Sequence, residues 1–84
     1  MAKILYFGDL PDRIGRGAED MFLPKTVQTT RDLLKYLRER GPAWAEALQD
    51  DRLTLTVNKQ FLDLDHPISD TDEIALISKG LGRA

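Results

Sequence analysis

At 84 residues the chain makes one small domain and leaves no room for a large enzyme core. Twelve basic against fourteen acidic side chains give a formal charge of −2, so the positive field that nucleic-acid affinity needs is missing; with no cysteine, disulfides, zinc–thiolate or iron–sulfur sites and a cysteine nucleophile are excluded. A hydrophobic share of 42%, well mixed with 31% charged residues, is that of a chain that folds on an ordinary core, in keeping with a reducing cytoplasm.

Lys3 to Phe7 is apolar on both alternations, the pattern of a strand covered on both faces, and as an apolar run it is too short for a signal-peptide core. Nowhere do about 20 apolar residues stand together, so no membrane span is expected. Gly8-Asp9-Leu10-Pro11-Asp12 and Gly15-Arg16-Gly17 read as turns, returning the chain as a second strand from Ala18 to Leu23, ended by Pro24. Thr29 stands where a helix N-cap belongs, able to accept the Asp32 backbone N–H, and Leu33, Leu34 and Leu37, widened by Thr30, give the helix one apolar face. Gly41-Pro42 stops it, glycine taking a left-handed cap and proline being unable to continue the ladder.

Pro42 to Leu48 predicts a second, short helix with Trp44 and Leu48 on one side. Arg52 to Asn58 alternates as a half-buried strand, with Leu53, Leu55 and Val57 inward and Thr54 and Thr56 outward. Asn58-Lys59-Gln60 turns the chain into a short strand, Phe61 to Leu64. Turn chemistry follows through Asp65-His66-Pro67 and Ser69 to Asp72, before a last apolar strand, Glu73 to Ser78. Residues 1–78 then form the domain, and 79–84 a tail spanning at most roughly 20 Å at about 3.3 Å per residue. This irregular order argues for α+β architecture, a mixed sheet of about five strands with one main and one short helix. The β-grasp is its compact form, with the first and last strands parallel at the centre.

Few side chains suggest chemistry. His66 is the only histidine, and Ser69 is its candidate partner only by proximity, so a turn is the better account of both. Asp51, Asp63, Asp65, Asp70, Asp72 and Glu73 lack calcium-loop spacing, no metal site is expected, and Gly8, Gly15 and Gly17 lack the lysine and Ser/Thr of a phosphate loop. More telling is the sheet face away from the helix. If Ile4, Tyr6, Ile74 and Leu76 pack inward, then Leu5, Phe7 and Ile77, with Phe61, form an apolar patch on the other side, a docking face unless the Trp44 segment or the tail folds across it.

The opening Lys3 to Phe7, the Leu33-Leu34-Leu37 helix, Trp44 ahead of Ala47-Leu48, Val57-Asn58, and the run from Asp65-His66-Pro67 to Asp72-Glu73-Ile74-Ala75 resemble the small subunits of molybdopterin synthase. Those are sulfur carriers related to the thiamine-pathway carrier and to the ubiquitin-like β-grasp proteins. The resemblance implies a carrier that is not catalytic alone and binds no cofactor. Its C-terminal carboxylate would be adenylated with ATP by an E1-like enzyme, converted to a thiocarboxylate, and offered to the large synthase subunit, with Leu5, Phe7, Phe61 and Ile77 at the docking face. The tail Gly80, Leu81, Gly82, Arg83 and Ala84 departs from the family's terminal Gly-Gly: Arg83 falls where the last glycine belongs, and Ser78-Lys79 replaces a characteristic proline pair. A long charged side chain there suits a glycine-shaped channel poorly. The alternative is a β-grasp binding or regulatory module that docks but has lost carrier chemistry.

Overall fold

β1 (Ala2–Phe7) and β5 (Glu73–Ser78) are the two most apolar segments, and the structure, a computed structural model described over residues 1–79, sets them side by side and parallel, with Ile4 beside Ile74 and Tyr6 beside Leu76. β2 (Ala18–Met21) closes antiparallel on the outer edge of β1; β3 (Leu53–Val57) pairs antiparallel with the other side of β5, and β4 (Gln60–Phe61) hangs on β3. The five-stranded order β2-β1-β5-β3-β4 puts the last strand of the sequence in the middle. This is the α+β ubiquitin-like β-grasp expected from the element order.

α2 (Thr30–Arg38) lies on one face of the sheet and buries Thr30, Leu33, Leu34 and Leu37 against Ile4, Tyr6, Leu55, Val57, Ile74 and Leu76. Its start is fixed as the sequence predicts: the Asp32 N–H donates to Thr29 Oγ1 at 3.2 Å, and the Thr29 N–H donates back to Asp32 Oδ2 at 3.2 Å. The buried Thr30 hydroxyl is satisfied by the Asp63 carbonyl at 2.9 Å. α3 (Pro42–Ala47) follows with proline in its first turn, placing Ala47 and Leu48 in the core.

Several boundaries differ from the sequence expectation. Gly8 to Asp12 is not only a turn: after Gly8, Leu10–Ile14 forms a short helix, α1, with Pro11 in its first turn and Gly15 as a left-handed C-cap, because Leu10 gains a place in the core. β2 stops at Met21 rather than Leu23, since Phe22 turns out to solvent and the Leu23 N–H leaves the sheet for Asp70 Oδ1 at 2.8 Å. Gly41 is the N-cap residue of α3, not the left-handed end of α2, whose C-cap is Glu39 in helical geometry. Asp50–Arg52 winds into a 3₁₀ turn, so β3 begins at Leu53. β4 covers Gln60–Phe61 instead of Phe61 to Leu64, because Leu62 and Leu64 pack against the core.

Candidate functional site

Pairing register decides which side chains share the face away from α2, because residues directly opposed on neighbouring strands point the same way. Phe7 stands beside Ile77, and Ile77 beside Thr54; one pleat along, Leu5 stands beside Ala75, Ala75 beside Thr56, and Thr56 beside Phe61. The four residues singled out from the sequence, Leu5, Phe7, Phe61 and Ile77, are therefore on one face. Phe7 is 48% and Phe61 72% exposed, Leu5 and Ile77 are half-buried, and Ala75 and Thr56 form a low floor between the two phenylalanines. Thr56 is itself buried, not wet as expected, because the neighbouring strands crowd it. Trp44 does not fold across this surface. It lies on the helix side, edge-on to Tyr6 with ring centroids 5.8 Å apart.

The expected tail residues Gly80, Leu81, Gly82, Arg83 and Ala84 lie outside the described residues. The segment leading into them leaves the end of β5 between two other elements. Gly8 lies against Ser78 so closely that an added Cβ would come within 2.8 Å of the Ser78 Cβ, and its φ of +73° is one that side-chain-bearing residues adopt at a cost. On the other side the Lys79 N–H donates to the Arg52 carbonyl at 3.0 Å. Asp9, at the corner between β1 and α1, is held below the usual carboxylate range by a hydrogen bond from the Ser78 hydroxyl and by Arg13, whose Nε lies 2.9 Å from Asp9 Oδ2. No pattern in the sequence singles out Gly8, Asp9 or Arg52; the parallel pairing of β1 with β5 brings Gly8 and Asp9 to this point, and the antiparallel pairing of β3 with β5 brings Arg52.

A polar cluster supports β1 from behind. The Tyr6 hydroxyl donates to Glu19 Oε2 at 2.6 Å, and Arg40 grips the same carboxylate with two nitrogens at 2.7 and 3.1 Å. Arg40 also lies over the Trp44 ring, 4.6 Å from its centroid. Burial alone would raise the Glu19 carboxyl, but the bonds from Arg40 and Tyr6 outweigh it and hold it below the ordinary range. Burial and then the bond to Glu19 push the Tyr6 hydroxyl well above its usual range, so it remains a donor.

The remaining sequence candidates are spent on local structure. The His66 carbonyl accepts the Thr30 N–H at 3.0 Å, and Ser69 Oγ is 2.9 Å from Thr71 Oγ1 while its N–H donates to Asp72. Asp65 pairs with Arg31, which holds it below the ordinary carboxylate range; Asp72 accepts from Asn58 Nδ2, and Asp63 Oδ1 from the Asp65 N–H. Among the described residues no helix is long and apolar enough to cross a membrane, and no group of three His, Cys, Asp or Glu side chains is placed to hold a metal ion.

The sequence profile of the ThiS family matches residues 4–79, nearly the whole described chain. The chain belongs to the ThiS family. Within the family it is 31% identical over 75 residues to the molybdopterin synthase sulfur carrier subunit of Escherichia coli K12, an alignment covering 89% of this chain and 90% of that protein. Its fold matches a putative molybdopterin converting factor subunit 1 from Pyrococcus furiosus with a TM-score of 0.74 at 22% identity, covering 92% of this chain and 94% of the other. A protein–protein complex of subunits 1 and 2 of the molybdopterin-converting factor from Helicobacter pylori contains a similar chain, with a TM-score of 0.62 at 21% identity over 96% of each. The match to the ThiS family begins at Ile4 and ends at Lys79, so the family pattern takes in the outer sheet face and the segment held by Arg52.

Proposed function

We propose that this chain is the sulfur-carrier subunit of a molybdopterin-synthase-like complex in molybdenum cofactor biosynthesis, working in the cytoplasm. The observation that carries the reading is its 31% identity to the E. coli carrier subunit over 75 residues, nearly the whole of both chains. The outer face supports it: a flat strip of Leu5, Phe7, Ile77 and Phe61 around a floor of Ala75 and Thr56 suits the buried centre of a protein interface. The partner is the large synthase subunit, a choice supported by the subunit 1–subunit 2 complex from H. pylori.

The chemistry belongs to the terminal carboxylate. An E1-like enzyme joins one carboxylate oxygen to the α-phosphorus of ATP and releases pyrophosphate; a hydrosulfide equivalent from a sulfur donor then attacks the acyl carbon, the C–O bond to AMP breaks, a C–S bond forms, and a proton is lost. The carrier itself supplies no acid or base. It supplies a docking face covalently joined to a reactive chain end, which turns an encounter between two solutes into a reaction within one complex.

Intact mass spectrometry tests this. With ATP, the activating enzyme and a sulfur donor, the chain gains the mass of sulfur replacing oxygen, either in full length or after trimming to Gly82. No gain in either chain, while both still bind the large subunit, would leave the alternative of a docking module without carrier chemistry, as Arg83-Ala84 would then imply.

A further inference from the structure

Ser78 and Lys79 have no proline to restrict their backbone, yet each is tied to a different neighbour. The side chain of Ser78 meets the β1–α1 corner, where Gly8 lies too close to admit a Cβ and Asp9 is fixed in turn by Arg13 from within α1. The main chain of Lys79 is tied to the 3₁₀ turn through the Arg52 carbonyl. We propose that Gly8, Asp9 and Ser78, together with the Arg52 carbonyl, form a clasp that fixes the point at which the C-terminal segment leaves the sheet, making Asp9 and Ser78 positioning residues for the terminal carboxyl.

This inference rests on the carrier reading and adds a geometrical requirement to it. Five residues follow Lys79, a reach of roughly 16 Å at about 3.3 Å per residue. Peeling Ser78 and Lys79 from their ties would add about 7 Å of slack. The docking face would be unchanged, because Leu5, Phe7 and Phe61 are held by strand pairing and not by the clasp, but the terminal carboxyl would be presented less reproducibly to its target. α1 thereby gains a use: its N-cap Asp9 makes no side-chain capping bond, pairs with Arg13 instead, and lines one small cavity with Arg13, Arg52 and Ser78.

The test compares the parent chain with Asp9→Ala, Ser78→Ala and Asp9→Asn, the last keeping an oxygen that can accept from Ser78. Each is given a terminal thiocarboxylate by chemical ligation, so that loading does not depend on the activating enzyme. At saturating large subunit, both alanine variants are expected to release sulfur about tenfold more slowly, with binding constants within about twofold of the parent and Asp9→Asn close to it. Amide exchange by NMR gives an activity-free readout: the Lys79 amide is protected in the parent and exchanges faster in Ser78→Ala. Equal release rates in parent and alanine variants, or an unprotected Lys79 amide in the parent, would overturn the clasp. A parent chain that binds the large subunit but releases no sulfur, both in full length and when trimmed to Gly82, would instead overturn the carrier reading, and the Lys79 amide would still decide whether the clasp exists.

Discussion

Glu19 accepts from Tyr6 and from two arginines, Arg40 and Arg16, and the sign of its pKa shift sets how the fold responds to acid. Its folded carboxyl titrates below the free value of 4.5, so the stabilisation it provides is complete above that pH and is lost as the pH falls through the lower folded value. Thermal melts from pH 7 down to pH 3 should therefore show a steep loss below about pH 4.5 that is shallower in Glu19→Gln. At neutral pH Glu19→Ala should cost about 2 kcal/mol, since it leaves the buried Tyr6 hydroxyl and the Arg40 fork without their shared acceptor. Urea denaturation measures it. The sequence held half of this information. β1 is buried on its inner face only, not on both as its apolar run suggests, and a tyrosine on that inner face needs an acceptor; but fourteen acidic residues are candidates, and pattern cannot choose the one thirteen positions away that the β1–β2 register delivers.

What the elements reveal depends on how local their signals are. α2 was readable because its apolar stripe, its N-cap and its first-turn acid all fall within nine residues, and Thr29→Ala should cost about 1 kcal/mol in a denaturant melt by removing the Asp32 N–H acceptor. α1 was not, although Pro11, Asp12, Arg13 and Gly15 are each correct helix punctuation, because in five residues the flanking glycines outweigh any periodicity. The strand after Asn58 begins one residue before the expected Phe61 and ends three residues before Leu64: the apolar Leu62 and Leu64 look like strand positions but are drawn inward by the core. The turn before it carries an avoidable strain, since Asn58 and Lys59 both sit at positive φ, 52° and 71°. Asn58 is fixed there by its bonds to Asp72 and Glu73, whereas Lys59→Gly is expected to stabilise the fold by about 0.5 kcal/mol, read as a raised denaturation midpoint.

For the molecule as a whole, one sheet divides two tasks: α2 covers the face that holds the fold together, and the other face carries the apolar strip. Phe7→Asp should abolish binding to the large subunit, by isothermal titration calorimetry, while the melting temperature moves by only a few degrees; a collapsed melt would place Phe7 in the core instead. The face was legible from strand alternation alone, whereas the clasp was not, because it joins residues about seventy positions apart. The central position of β5 has a consequence for how the protein is made. β1 and β3 are synthesised first but are not neighbours in the finished sheet, so neither can complete its native pairing before β5 is made. Up to that moment Phe7 has no Ile77 beside it and Thr56 no Ala75. The apolar strip on the outer face is therefore complete only once the last strand of the chain has been set into the middle of the sheet.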